Sequence, residues 1–288
     1  MKSRRKARIK RKAAKKGVSL IVKIFLPILL VLGALFFLAL NTKYWNGKDK
    51  FIFVSRIPDG GARVSVLDPK LDEETNLTIP GDTEVEVARN YGTLRLKNVW
   101  QLAVNEKIPG VLIAETISQN FLFPVFLYKD ESIKKTNIPL GDALFIKFFT
   151  MGVKAVDRSE IDLAKSQFLQ KARLRDGQAG YKLSGSVSES LTAYFSDYSF
   201  AGGDVRVGIN DATGRPAVAQ KVGEIIEVVG GKVVVVNRKT TSEEDCVVSG
   251  KNSKTVKKIA GLFSCSIGNQ KSDYDIELSL GQKFARRF

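Results

Sequence analysis

Histidine is absent from the 288 residues. Its absence removes Ser-His-Asp and Cys-His nucleophilic sites, His-ligated zinc and imidazole general bases together. Chemistry in this chain has to run on carboxylates, Arg, Lys or a supplied metal. Cysteine is nearly absent, with Cys246 and Cys265 alone. Residues 1–17 contain no acid but hold ten Lys and Arg, so the formal charge of +16 is concentrated at one end. Removing those ten and Lys23 from the 46 basic residues leaves 35 against 30 acidic ones, a surplus of only +5. No Walker or dinucleotide glycine pattern and no DNA-reading element occurs, so specific nucleic-acid binding is not expected.

What the N-terminus does have is a long apolar run. Residues 24–40 (IFLPILLVLGALFFLAL) carry no charge, and Val18–Val22 extend the run past Lys23, which can snorkel to the headgroups. The expectation is one transmembrane helix over 18–40, behind a basic cytoplasmic tail, 1–17. The positive-inside rule then places residues 46–288 outside the cell. Tyr44 and Trp45 stand where interfacial aromatics belong. A cleaved signal peptide is the competing view, but it should end in a small-x-small site, whereas this run ends Leu38-Ala39-Leu40-Asn41.

With 44% hydrophobic residues, the remainder is long enough for about two modest domains. After a polar linker (41–50), strands are expected at Phe51–Ser55, Ala62–Leu67 and Thr75–Ile79, with turn signals between them. Leu94–Leu102 reads as a packed turn or helix. Val111–Asn120, Leu140–Met151 and Ser159–Arg173 read as helices, which closes an α/β unit over 51–173. Residues 174–203, rich in Gly and Ser but carrying Tyr194, Phe195, Tyr198 and Phe200, read as a connecting segment docked by its aromatics.

The domain over 204–288 is the more legible. Strands are expected at Asp204–Asn210, Lys232–Val236, Asp245–Ser249, Ser264–Ile267 and Tyr274–Leu280, and helices at Pro216–Val229 and Ser253–Phe263. The order β-α-β-β-α-β-β implies an α+β two-layer arrangement with both helices on one face of the sheet. The fold class expected for the external part is therefore α/β, of the α+β two-layer kind.

The run Val205-Arg206-Val207-Gly208-Ile209-Asn210-Asp211-Ala212-Thr213-Gly214 is followed by a helix with Ala217 and Ala219, then Gly230-Gly231 and a valine strand. With the ending Asp275-Ile276-Glu277-Leu278-Ser279-Leu280-Gly281, it resembles the C-terminal domain of LytR-CpsA-Psr envelope proteins over about residues 203–283. A fainter resemblance covers 51–128, where Leu77-Thr78-Ile79-Pro80-Gly81-Asp82-Thr83 is similar to the strand ending in Ile-Pro-Arg-Asp-Thr of that family's catalytic domain. In catalytic members that Arg helps hold the pyrophosphate of a polyprenyl-linked glycopolymer, which is transferred to peptidoglycan with magnesium. This chain has Gly81 there, and the family's later Arg-rich stretch has no clear match between Ile138 and Arg175. A buried pyrophosphate without an arginine fork loses charge-assisted bonds that Asp82 and Thr83 cannot replace. The resemblance therefore implies a shortened, inactive relative, with Asp82 and Thr83 as a vestigial polyprenyl-pyrophosphate or metal site.

Each candidate has a plainer reading beside it. Pro80–Thr83 also forms a turn by itself. Asn210, Asp211, Thr213 and Gly214 precede a helix whose free N–H groups can take an anion, but the same residues cap helices unaided. Lys251, Lys254, Lys257 and Lys258 offer a surface for anionic wall polymer or simply solvate a helix. Cys246 and Cys265 are expected to pair in an oxidising compartment if the helix between them makes their strands neighbours; otherwise they are two buried small hydrophobes.

The main expectation is a membrane-anchored, non-catalytic envelope protein that binds peptidoglycan, anionic wall polymer or a partner protein, without a cofactor. The alternatives are a diverged glycopolymer phosphotransferase using magnesium, and a membrane-tethered regulator.

Overall fold

The computed structural model describes residues 23, 25–33, 43–45, 47–185, 189–201, 204–269 and 272–288. The basic tail and most of the expected span lie outside the described residues. Residues 25–33 are helical, with Phe25, Leu29 and Leu30 exposed. Among the described residues no helix is long and apolar enough to cross a membrane.

The first sheet has six strands in the order β7-β6-β1-β2-β3-β8, with β7 (Lys135–Thr136) a two-residue edge strand. Its centre is the antiparallel meander β1 (Phe51–Arg56), β2 (Ala62–Asp68) and β3 (Glu73–Ile79), where Val54 faces Val64 and Ala62 faces Ile79. The alternation of these strands sends Val54, Val64, Val66, Leu77 and Ile79 to one side. There α1 (Leu96–Asn105) and α2 (Val111–Phe121) cover them with Val99, Trp100, Leu112, Ile113 and Ile117. The other side of β1 buries Phe51 with Leu67, Leu127 of β6 (Leu127–Asp130) and Trp45, beneath Ile146 and Phe149 of α3 (Leu140–Gly152). The sheet is thus covered on both faces at this end, one layer more than the two-layer expectation.

The helix expected over Ser159–Arg173 is not formed. Arg158–Asp162 is β8, parallel to β3 with Leu77 opposite Ile161, and Leu169–Arg173 is β9, antiparallel to β10 (Ala179–Leu183). A short 3-10 turn over Leu163–Lys165, with Asp162 accepting from the Ala164 N–H, separates β8 from the run that leads into β9. Pairing with an open sheet edge outweighed a spacing of apolar residues that also fits a helix. Between β10 and the second sheet, Phe195 of α4 (Glu189–Phe195) stacks on Phe123 at 4.5 Å, and Phe200 of α5 (Tyr198–Ala201) is buried in the second core.

The second sheet has the order β12-β11-β15-β13-β14. Its elements follow the expected succession: β11 (Arg206–Asp211), α6 (Pro216–Val229), β12 (Lys232–Arg238), β13 (Cys246–Gly250), α7 (Ser253–Phe263), β14 (Ser266–Ile267) and β15 (Ile276–Leu280). Pro216 at the start and left-handed Gly230 at the end (φ 103°) bound α6 as the sequence implies. One core joins Val222, Ile225 and Ile226 of α6, Val256 and Ile259 of α7, and Ile209, Val248 and Leu278 of the sheet. An unexpected final helix, α8 (Gln282–Arg287), adds Phe284 to it. β12 is an edge strand, so part of its valine run stays outside, with Val234 and Val236 exposed. β13 and β14 are parallel neighbours, which brings the Cα atoms of Cys246 and Cys265 to 4.9 Å, and the two are joined by a disulfide.

Candidate functional site

The loop Pro80–Thr83 leaves the end of β3 and is held from three sides. The β1–β2 turn approaches it through Asp59, whose carboxylate accepts from the Gly61 and Gly81 N–H groups at 2.8 and 3.3 Å. A Cβ on Gly81 would lie 2.4 Å from the Asp59 carbonyl oxygen, so this close approach admits no side chain and explains why position 81 holds no arginine. The start of α1 donates Leu96 N–H to the Thr83 carbonyl and Lys97 N–H to the Gly81 carbonyl, each at 2.9 Å. The β9–β10 hairpin closes the third side, with Tyr181 N–H on the Asp82 carbonyl at 3.1 Å and Gly180 packed against the same oxygen.

This clamp brings together side chains that are far apart in the sequence. Arg95, at the end of β5 (Gly92–Arg95), has a side chain only 8% exposed and points between two carboxylates. Its Nη1 donates to Asp82 Oδ1 at 2.6 Å, while Nε and Nη2 form a fork on Asp176 at 2.6 and 3.0 Å. Lys97 Nζ reaches Asp82 Oδ1 at 2.7 Å. Lys97 and Arg95, donating to it, hold the Asp82 carboxyl below its ordinary pKa. Arg95, helped by the Gln178 N–H, draws Asp176 down to about 2. The guanidinium is correspondingly more basic than a free one. Both carboxylates are therefore charged at neutral pH and are poor proton acceptors.

Asp82 is also on the wall of an open groove of about 730 Å3, whose other walls come from the β9–β10 hairpin, including Lys171, Arg173 and Tyr181. Thr83 is fully buried beside it, and its Oγ1 has no hydrogen-bond partner among the described residues. Fixed cations beside two ionised carboxylates suit a polyanion through Arg and Lys, and among the described residues Asp82 and Asp176 belong to no group of three or more acidic or cysteine side chains that could hold a metal ion. The free Asp82 Oδ2, which accepts no hydrogen bond from the described residues, fits a hard cation.

The other residues expected to form a site lie on the second sheet. Asp211 accepts from the Thr213 N–H at 3.0 Å and from its hydroxyl, and Thr213 Oγ1 in turn accepts from the Arg215 N–H at 2.9 Å. Asn210 donates to Glu277, and Gly214 takes a positive φ of 71° to close the turn. Lys254 pairs with Asp49 at 2.7 Å, Lys258 with buried Asp197, and Lys251 approaches Asp275 at 4.0 Å. Sequence reasoning singled out Asp82 and Thr83 but not Arg95, Lys97 and Asp176, which the fold brings beside them. The signal for Asp176 was the Asp176-Gly177 turn dipeptide between two alternating runs, hidden by reading Ser159–Arg173 as a helix.

No protein-family model matches the chain, and no curated protein matches it. Among solved structures it is similar to the transcriptional regulator yvhJ from Bacillus subtilis, at 12% identity over 49% of this chain and 92% of that chain, with a TM-score of 0.35. It is similar to B. subtilis TagT at 12% identity over 50% of this chain and 88% of that chain, TM-score 0.34. A third is the LytR-CPS2A-psr family protein YwtF (TagT) with bound octaprenyl pyrophosphate lipid, at 9% identity over 76% of this chain and 90% of that chain, TM-score 0.24.

The expectation that the chain is not an enzyme is corrected. The last of these neighbours holds a bound octaprenyl pyrophosphate lipid. One of the two grounds of the expectation, the lack of an arginine beside Asp82, does not hold. Gly81 holds no side chain, but Arg95 reaches the same carboxylate from the next hairpin.

Proposed function

We propose that the chain is a membrane-anchored phosphotransferase that moves a glycopolymer from a polyprenyl-pyrophosphate carrier to peptidoglycan outside the cell. The observation that carries this reading is the Arg95 guanidinium fixed between Asp82 and Asp176 beside Lys97, at the edge of a groove with Lys171 and Arg173. Preorganised cations of this kind stabilise the charge that builds on phosphoryl oxygens in transfer. In the step, a hydroxyl of the acceptor attacks the phosphorus next to the glycan. The new P–O bond replaces the bond to the bridging pyrophosphate oxygen, and the hydroxyl proton ends on the released polyprenyl phosphate. Arg95 and Lys97 hold phosphate oxygens, and Arg173 and Lys171 line the approach. Asp82 and Asp176, held ionised, would hold magnesium, which when bound offsets phosphate charge and orients the leaving group.

The expected topology, with 18–40 spanning the membrane and 46–288 outside, puts the groove on the side where the acceptor lies. The test is transfer by the purified full chain of a polyprenyl-pyrophosphate glycan to peptidoglycan with magnesium. Release of polyprenyl phosphate coupled to glycan attachment supports the reading. Absence of both at saturating magnesium and substrate overturns it.

A further inference from the structure

Helix α3 is apolar on two opposite faces. Asp142, Ile146 and Phe149 point inward: Ile146 and Phe149 pack on the core formed by Trp45, Phe51, Leu127 and Ile138, and Asp142 is fully buried. Leu140, Leu144, Phe148 and Met151, spaced at i, i+4, i+8 and i+11, form a stripe on the other side. Three of these are strongly exposed, Leu140 at 72%, Phe148 at 61% and Met151 at 70%, and Val156 just beyond the helix is 84% exposed. A helix that is apolar all round belongs inside a core or against lipid. The outward stripe of α3 is left open by the described residues, and a contiguous patch of this kind marks an interaction surface.

The first turn of α3 is tied to the chain just after the apolar run. Asp142 Oδ2 accepts the Lys43 and Tyr44 N–H groups at 3.2 and 3.0 Å, and Oδ1 accepts the Trp45 N–H at 3.2 Å. Lys43 is three residues after Leu40, the far end of the apolar run, and three residues reach at most about 11 Å when fully extended. The buried carboxylate therefore ties α3 to the chain at the point where it emerges from the expected span. Exposed Lys43, Lys147 and Lys154 lie before, on and just after α3, charges that suit anionic headgroups.

We propose that the Leu140–Met151 stripe, with Val156, lies in the interface of the same bilayer that holds residues 18–40. It forms a second membrane contact that fixes the orientation of the external part. The proposal rests on the reading of 18–40 as a span. An interfacial helix sinks its apolar face about 5–10 Å into the headgroup and acyl boundary, within reach of quenchers carried on acyl chains.

The test uses the full chain in nanodiscs of phosphatidylcholine and phosphatidylglycerol, with or without bromine on the acyl chains. Three single variants report: Phe148→Trp on the stripe, Leu29→Trp in the span, and Val234→Trp on the second sheet. The emission of the unsubstituted chain is subtracted for Trp45 and Trp100. The expected result is blue-shifted emission of Phe148→Trp that is lost in brominated discs, with the same loss for Leu29→Trp and none for Val234→Trp. Quenching of Leu29→Trp without quenching of Phe148→Trp overturns the proposal while leaving the span intact. A blue-shifted but unquenched Phe148→Trp assigns the stripe to a protein partner and overturns it as well. If neither is quenched, the span and the proposal fall together.

Discussion

The two sheets spend their polar residues differently. On the second sheet the Asp211, Thr213 and Arg215 groups bond to one another over two residues of sequence, and the turn before α6 is closed by its own side chains. Beside the first, Arg95, on a small hairpin of β4 (Glu84–Val87) and β5, reaches a carboxylate 81 residues away and another 13 residues back, and both acids remain open to solvent on their other sides. Local bonding completes a fold; long-range charge clusters held at a groove leave capacity for a ligand. Short-range bonding on one side and a long-range charge cluster on the other define the contrast, and substitutions on each side can break it.

The largest effect is expected at Arg95. Arg95→Ala removes the fork on Asp176 and the bond to Asp82, and on the proposed reading glycopolymer transfer should fall by about 10²–10³-fold, the scale for losing one preorganised donor to a developing oxyanion. Asn210→Ala, on the second sheet, should leave transfer per folded molecule unchanged. Rates of polyprenyl phosphate release measured on both variants check this, with thermal melts to confirm folding. Equal losses would erase the distinction between the sheets.

Next in size is the disulfide. Cys246 and Cys265 are separated by 19 residues, and replacing both with Ala should cost about 3 kcal/mol in the chain-entropy account. Denaturant unfolding of the double variant against the oxidised parent measures it. The loss should appear in the second sheet, while the Arg95 cluster keeps its transfer rate per folded molecule.

The same contrast governs what could be read from the sequence. Pro216, Gly230 and the apolar periodicity of α6 and α7 are local signals, so those helices were legible to within a residue. The pairing of Cys246 with Cys265 was legible because only one crossover separates them. Asp82 and Thr83 could be picked out from a short motif. Arg95 could not, because β5 is four residues long and its partner acid sits in a hairpin whose first strand resembled a helix. The fate of α3 was hidden for a related reason: periodicity identifies the helix, but only the fold shows that none of the described residues covers its second apolar stripe.

A smaller effect is expected in the Asp211 turn. Asp211 is buried and accepts two bonds from Thr213, so Asp211→Ala leaves the Thr213 N–H without its acceptor. Loss of such a cap-like group costs about 1 kcal/mol. Equilibrium unfolding measures that cost, and transfer assays should show no specific change. A loss of transfer in the folded variant would instead move the functional site to the second sheet.

The smallest effect, and the most direct probe of the charge cluster, is the titration of Asp176. Its folded-state pKa is lowered from 3.8 to about 2, first by the Arg95 fork and then by the Gln178 N–H. For a group depressed on folding, the stabilising contribution is present above the unfolded value and is lost as pH falls through the folded one. The window is therefore between about pH 4 and pH 2, and near neutrality the contribution is fully present and does not vary with pH. Because Asp176 is 47% exposed, solvent and salt screen the pair, so the energetic effect is modest although the shift in midpoint is large. Carboxyl carbon NMR on the folded chain should place the Asp176 midpoint near 2 in the parent. In Arg95→Ala it should move back up towards 3.8, with only the backbone bond of Gln178 left to hold it down. An unchanged midpoint in the variant would show that the guanidinium does not hold Asp176, and the fork would then lose its role in organising the groove.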